Sequence, residues 1–292
     1  VNEINSDDLY HLIEEARRHG VPGLGRRNSG VSDSRGRKMA DVLAALFRWA
    51  HIHRRSKVNP YIGTHRPAAP VARDRVMNVE MGVRNADELR WFWKACDEVG
   101  KPFGAVCRLL LLTGCRREEI ARIVQGELSD DLAMLRLPGE RTKNGLPHSV
   151  PLSQLAREIL IGVPQVPRSQ FVFSTNGRTP ISGFSKYKAS LDVVMLDEAR
   201  EEQGRDAVIP PWRLHDLRRT AATGMAGIGV PPHIVEATLN HVSGAKTGVA
   251  GTYNRAAYEP EKRAALEKWA NHITDIVAGR KAKAVPLLGQ TP

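Results

Sequence analysis

Thr113-Gly114-Cys115-Arg116-Arg117-Glu118-Glu119-Ile120 follows the apolar run at 109–112, and its reading decides how the rest of the chain is read. The pattern predicts a buried helix closed by Gly114 and a second helix that opens at Arg116. Unpaired N–H groups at a helix start favour an anion, and an arginine there adds a fixed cation with a two-pronged donor. Glu119, one turn further on, is placed to buttress that arginine. Standing alone, the same string is more often a helix break with charged flanks.

Other stretches carry chemistry of the same kind. In His215-Asp216-Leu217-Arg218, flanked by Trp212 and Arg219, residues three apart share a helix face, so His215 and Arg218 can reach one anionic ligand while Asp216 turns aside. A surface ion pair is the plainer reading. A helical metalloprotease needs two histidines around a glutamate, and that pattern is absent. Lys143 lies in Gly139-Glu140-Arg141-Thr142-Lys143-Asn144-Gly145, between an alternating segment at 132–137 and a return strand at 148–150. The Asn-Gly pair predicts a tight hairpin with Lys143 at its tip. There it is a solvated turn residue, or a proton donor to a leaving oxygen if the turn reaches an active site. Leu239-Asn240-His241 and Gly251-Thr252-Tyr253-Asn254-Arg255 complete the set. A tyrosine hydroxyl, with a reference pKa of about 10, becomes a nucleophile only where cations and an acceptor favour the phenolate. Two arginines, a lysine and two histidines would supply that setting; a core tyrosine with a bonded hydroxyl is the alternative.

Around these stretches the 292 residues read as mainly α with a small β-hairpin, an α+β chain. Two amphipathic helices are expected in residues 1–65: one capped by Ser6 and ended by Gly20, the other with Met39, Val42, Leu43, Leu46, Phe47 and Ala50 on one face. A proline-rich linker is expected at 66–84, helices with one hairpin over 85–279, and a flexible tail over 280–292. Lys and Arg number 43 against 32 Asp and Glu, for a formal charge of +11. Residues 17–75 alone hold fourteen basic side chains and three acids, a density suited to a polyanion or to a solvated charged face. Three scattered cysteines without CxxC spacing fit neither a disulfide framework nor a thiolate metal site. With no run near the roughly 18 apolar residues of a membrane span and no signal-peptide pattern after Val1, a soluble, cytoplasmic chain is expected. The start at Val1, without Met, suggests a piece of a longer chain.

In sequence order, Arg116, Lys143, His215-x-x-Arg218, His241 and Tyr253 resemble the Arg, Lys, His-x-x-Arg, His/Trp and Tyr signature of the tyrosine recombinases, or phage integrases, and most closely the prophage and genomic-island branch. Thr-Gly-Cys-Arg-Arg-Glu-Glu, His-Asp-Leu-Arg-Arg-Thr and Leu-Asn-His resemble the family's local boxes. Asn240 stands where the family usually has glycine, a change that Asn tolerates because it accepts left-handed backbone angles. The spacing from His241 to Tyr253 is longer than in the commonest members, and Tyr258 is the rival tyrosine.

The resemblance implies a helical core-type DNA-binding domain at 1–65 and a catalytic domain at 85–279. It also implies a site-specific recombinase that integrates or excises a prophage or mobile element through a 3′-phosphotyrosyl intermediate, with no metal and no cofactor. Arg116, Lys143, His215, Arg218, His241 and Tyr253 would be catalytic and Glu119 supporting. Arg26, Arg27, Arg35, Arg37, Lys38, Arg54, Arg55, Lys57 and Arg219 would contact DNA. The implied partners are double-stranded DNA attachment sites, a homotetramer on two duplexes, and accessory bending or directionality factors, in a bacterial cytoplasm at the nucleoid. Branch members carry a further arm-site domain, for which there is no room before Val1. The alternatives are a type IB topoisomerase, which shares the nucleophile and the arginines, and a catalytically silent DNA-binding regulator of the same fold, against which the complete residue set argues. A phosphate-binding metabolic enzyme would need a glycine-rich loop that is missing.

Overall fold

A computed structural model describes residues 3–21, 23–24, 30–69, 71, 74–77, 87–241 and 258–279. The chain divides into two compact units, Val1–Asp74 and Arg75–Pro292. Tyr253, Arg26, Arg27, most of the expected linker and the expected tail lie outside the described residues.

The first unit is a pair of helices, α1 (Ser6–His19) and α2 (Asp33–Ile52). The cap of α1 falls one residue before the expected Ser6. The Asn5 side chain accepts from the Asp7 and Asp8 amides, and Asp8 accepts in return from the Asn5 amide, which satisfies orphan donors of the first turn. Leu9 and Ile13 pack against Ala40, Leu43 and Phe47. Gly36 keeps α2 close to α1, since a Cβ there would stand 3.1 Å from the Arg17 and Pro67 side chains. The expected apolar face of α2 is therefore split: Gly36, Ala40, Leu43, Phe47 and Ala50 are buried, while Val42 and Leu46 are more than half exposed. With one helix to pack against within the unit, only one stripe can be covered. Arg35 and Arg37 are engaged inside the unit, Arg35 donating to the carbonyls of Ala16, Arg17 and Gly30 and Arg37 to that of Pro67. Lys38, Arg54, Arg55 and Lys57 are exposed.

The second unit is built around a helix that is apolar on nearly every side. Its elements are α3 (Asp87–Glu98), α4 (Phe103–Thr113), α5 (Arg117–Ala121), β1 (Met134–Leu137), β2 (His148–Pro151), α6 (Gln154–Ile161), α7 (Phe184–Gln203), α8 (Leu214–Gly227), α9 (Pro232–Thr238) and α10 (Glu259–Val277). Nearly every residue of α4 is buried, because α3, α5, α6, α8 and α10 surround it. Trp269 on α10 donates its indole N–H to the Leu111 carbonyl at 2.9 Å and lies over Gly224 of α8, where a Cβ would come within 2.3 Å of the ring. Met77, inside the segment read as linker, is fully buried in this core and donates its amide to the Thr220 hydroxyl. The three cysteines are buried and unpaired. Among the described residues no helix is long and apolar enough to cross a membrane.

The strands pair antiparallel, with Leu135 opposite Val150 and Leu137 opposite His148. Their connection differs from the expected tight hairpin. It opens with a 3₁₀ turn (Gly139–Arg141), and of the Asn-Gly pair only Gly145 has positive φ, whereas a two-residue type I′ turn requires both. Lys143 thus sits in a longer, self-bonded loop. Thr142 shapes it, its hydroxyl within hydrogen-bond distance of the Gly139 and Leu146 carbonyls and of the Asn144 side chain.

Gly114 ends α4 in the left-handed conformation (φ 65°), and a Cβ there would stand 2.7 Å from Leu239. Gly114→Ala is expected to cost about 2–4 kcal/mol from backbone strain and overpacking combined. Gly145→Ala, also at positive φ but with open space around it, should lose only the strain of about 1 kcal/mol, a contrast read from urea midpoints.

Candidate active site

The turn after α4 sets the first side chain. Gly114 reverses the chain, and Arg116 takes the extended N-cap position of α5. Glu119, 2% exposed, holds Arg116 by both ends: one carboxylate oxygen accepts from the Arg116 backbone N–H and the other from its guanidinium, each at 2.7 Å. Arg218, on the buried face of α8, donates one Nη to the Gly114 carbonyl at 2.7 Å and the other to the Leu239 carbonyl at 2.6 Å. It thereby joins α8, the turn before Arg116 and the turn before His241. Among the described residues these two carbonyls take two of its five N–H donors. Burial, then the Arg116 charge, pulls the Arg218 pKa down from its ordinary value.

An open cleft of about 780 Å³ is lined by Arg116, Lys143 and His215, together with Glu119, Arg141, Lys188 and Trp212. His215 is exposed at the start of α8. Partial burial first, and then the charges of Arg218 and Arg219, hold its pKa below the ordinary value, which favours the neutral ring. Asp216 does turn aside, accepting from the Arg213 amide and from Arg219, both at 2.8 Å. Arg219, a candidate DNA contact, is thus paired within its own helix. His241 is exposed at the end of the α9 turn, its Nδ1 3.2 Å from Glu236 Oε2. Asn240 has φ 50°, in the left-handed region expected of it.

Two contributors went unread in the sequence. Arg141 donates to both oxygens of Glu127 and to the Glu118 and Glu119 carbonyls, fastening the Lys143 loop to α5. The signal available was its position two residues before Lys143. Lys188, half-buried on α7, stands 3.7 Å from the Trp212 ring centroid and pairs with Asp192. No short motif marks it, because the Trp212 ring that it faces comes from a separate segment. Behind the cleft, Cys115, Glu119 and His148 offer ligand atoms within 4.8 Å of one another. Both Glu119 oxygens already accept from Arg116, and burial pushes the Cys115 thiol up to about 12, so Glu119 serves the arginine and the trio presents no ready thiolate–carboxylate pair.

Residues 85–259 match the Phage integrase family. The chain belongs to that family. Among its integrase relatives, prophage integrase IntZ of Escherichia coli (strain K12) is 28% identical over 267 residues, covering 89% of this chain and 60% of the relative. Prophage integrase IntA of the same strain is 29% identical over 164 residues, covering 56% and 37%. The chain therefore spans at most about three-fifths of the length of these curated relatives. Its fold is that of lambda integrase. A lambda integrase (75–356) dimer bound to a COC′ core site superposes with a TM-score of 0.58 at 16% identity, over 83% of this chain and 81% of that one. A lambda integrase tetramer bound to a Holliday junction gives 0.58 at 15%, over 83% and 66%.

His148 supplies a pH test of this buried layer. It is 4% exposed on β2, and burial, reinforced by the Lys262 and Arg218 charges and opposed by Glu119, pushes its pKa down to about 4 from 6.5. Between those values the unfolded chain binds the extra proton, so stability present above pH 6.5 is lost as pH falls toward 4, by about 3 kcal/mol. Urea unfolding across that window should reveal the loss, and His148→Gln should flatten it.

Proposed function

We propose that this chain is a site-specific DNA recombinase of the prophage integrase branch, which cleaves and rejoins DNA through a 3′-phosphotyrosyl intermediate. What carries the reading is the convergence of Arg116, Lys143 and His215 on one open cleft, with Arg218 fixed behind Arg116. Positioned cations are what a phosphoryl transfer needs most, because charge accumulates on the non-bridging oxygens as the transition state forms.

In this mechanism Tyr253 attacks the phosphodiester and releases a 5′-hydroxyl. Arg116 and Arg218 bind the non-bridging oxygens, and Glu119 keeps Arg116 in place. Lys143 gives a proton to the departing 5′-oxygen, His241 donates to a phosphate oxygen, and His215, held toward neutrality, bonds or deprotonates the tyrosine. Bond energy stored in the phosphotyrosine lets a second strand's 5′-hydroxyl reverse the step on a new partner, without metal or nucleotide. Tyr258, half-buried at the start of α10 with its ring 5.5 Å from that of His233, suits a packing role.

The N-terminal unit serves as the core-type DNA clamp, with Lys38, Arg54, Arg55 and Lys57 as its contacts, and residues 85–279 as the catalytic domain. Attachment sites in double-stranded DNA are the substrates, a tetramer on two duplexes is the working assembly, and bending or directionality factors assist it at the bacterial nucleoid. The lambda integrase tetramer on a Holliday junction supports that assembly by likeness of fold.

A nicked suicide duplex carrying the junction sequence that flanks the chain's own gene tests the reaction. Tyr253→Phe should abolish covalent attachment and Tyr258→Phe should retain it, while Arg116→Ala should lose about 3 kcal/mol of transition-state stabilisation. Attachment should persist in EDTA. Covalent product from Tyr253→Phe, or a strict magnesium requirement, would overturn the proposal.

A further inference from the structure

The Lys143 loop is fastened to the rest of the second unit on both sides of Lys143. On one side Arg141 bonds Glu127 and the carbonyls of α5. On the other, Asn144 and Asn240 bond each other reciprocally: Asn144 Nδ2 donates to the Asn240 carbonyl at 2.9 Å, and Asn240 Nδ2 donates to Asn144 Oδ1 and to the Leu146 carbonyl, each at 3.3 Å. Asn144 Oδ1 also accepts from the Leu146 amide, which closes the clasp. The bonds of Thr142 stay within the loop, so they give it shape without aiming it.

Asn240 is suited to this task by two independent properties. Its backbone is left-handed (φ 50°), a conformation that few side chains other than Asn and Asp accept, and its side chain is 7% exposed. An aspartate could hold the backbone but has no N–H for the Leu146 carbonyl; a glycine could hold the backbone and keep its carbonyl for Asn144 but offers no N–H to Asn144 Oδ1 or to the Leu146 carbonyl. Only an amide satisfies both the turn and the loop. Because Asn240 directly precedes His241, the same residue sets the turn that carries His241 and the loop that carries Lys143.

We propose that Asn240, through Asn144, is a positioning residue that aims Lys143 at the leaving 5′-oxygen. The inference rests on the reading of Lys143 as the proton donor. In the step concerned, the Tyr253 oxygen–phosphorus bond forms as the phosphorus–O5′ bond breaks, the phenol proton passes to His215, and the Lys143 ammonium proton ends on O5′ and leaves a neutral amine. A misaimed ammonium would leave the phosphate-binding arginines untouched and slow only the departure of an oxygen that requires that proton.

A leaving group that needs no proton isolates this effect. If the scissile 5′-oxygen is replaced by sulfur, the departing thiolate, with a thiol pKa of about 8.5, leaves unprotonated. Single-turnover cleavage of the suicide duplex is compared for the two linkages in wild type, Asn240→Gly, Asn144→Ala and Lys143→Ala. Asn240→Gly, which keeps the left-handed turn, and Asn144→Ala should cleave the oxygen substrate on the order of tenfold to a hundredfold more slowly, yet the sulfur substrate within about twofold of wild type. Lys143→Ala should follow the same pattern with a larger oxygen defect. Equal slowing on both linkages, or no slowing on oxygen, while sulfur rescues Lys143→Ala would overturn the positioning role alone. Failure of sulfur to rescue Lys143→Ala would remove the proton-donor reading, and the positioning inference with it.

Discussion

A guanidinium buried between two chain reversals is the constraint on which the second unit's architecture turns. Arg218 reaches the carbonyl of Gly114, which ends α4, and that of Leu239, which follows α9, so three segments distant in sequence meet at one cation. A charge in that position is tolerable only because carbonyl dipoles and nearby Glu119 and Glu236 offset its desolvation. The apolar α4 beneath supplies the rigidity. With that helix enclosed on its flanks and pinned by Trp269, the turn at 113–116 has little freedom, and Arg116 inherits its position from the core.

Much of this was legible in the order of residues, for identifiable reasons. A helix apolar on nearly every side followed by Thr-Gly and two arginines announces a buried helix, a left-handed stop and a new start. The first four-residue strand was visible through a weak alternation and the second through the turn signal before it. The geometry of the loop between them was not, since Asn-Gly favours a two-residue turn locally and the bonds that override it come from Thr142, Arg141 and Asn240. The face of α2 was misread for a related reason: periodicity marks every apolar position on a stripe, and only the partner helix determines which half is covered. Arg35 and Arg37 illustrate the same limit for charge, because composition cannot distinguish a cation facing solvent from one that satisfies carbonyls inside its own unit.

The two units use positive charge differently. In the first, several basic side chains stand exposed along and after α2, where salt screens their charge. In the second, four cations in and around the cleft are each held by a specific acceptor: Arg116 by Glu119, Arg141 by Glu127, Arg219 by Asp216 and Lys188 by Asp192. The net charge of the chain alone therefore says little about the cleft.

The grip of Glu119 on Arg116 has an evolutionary side. One carboxylate closes the first turn of α5 through the Arg116 amide and steadies the guanidinium of the same residue. Drift at position 119 is therefore penalised twice, once as a helix that starts poorly and once as an arginine that wanders. A lineage that lost the chemistry would still be selected to keep the carboxylate for folding, so a glutamate three residues after this arginine can persist as a relic in inactive descendants. In such descendants, the surviving glutamate would mark common ancestry more reliably than it marks activity.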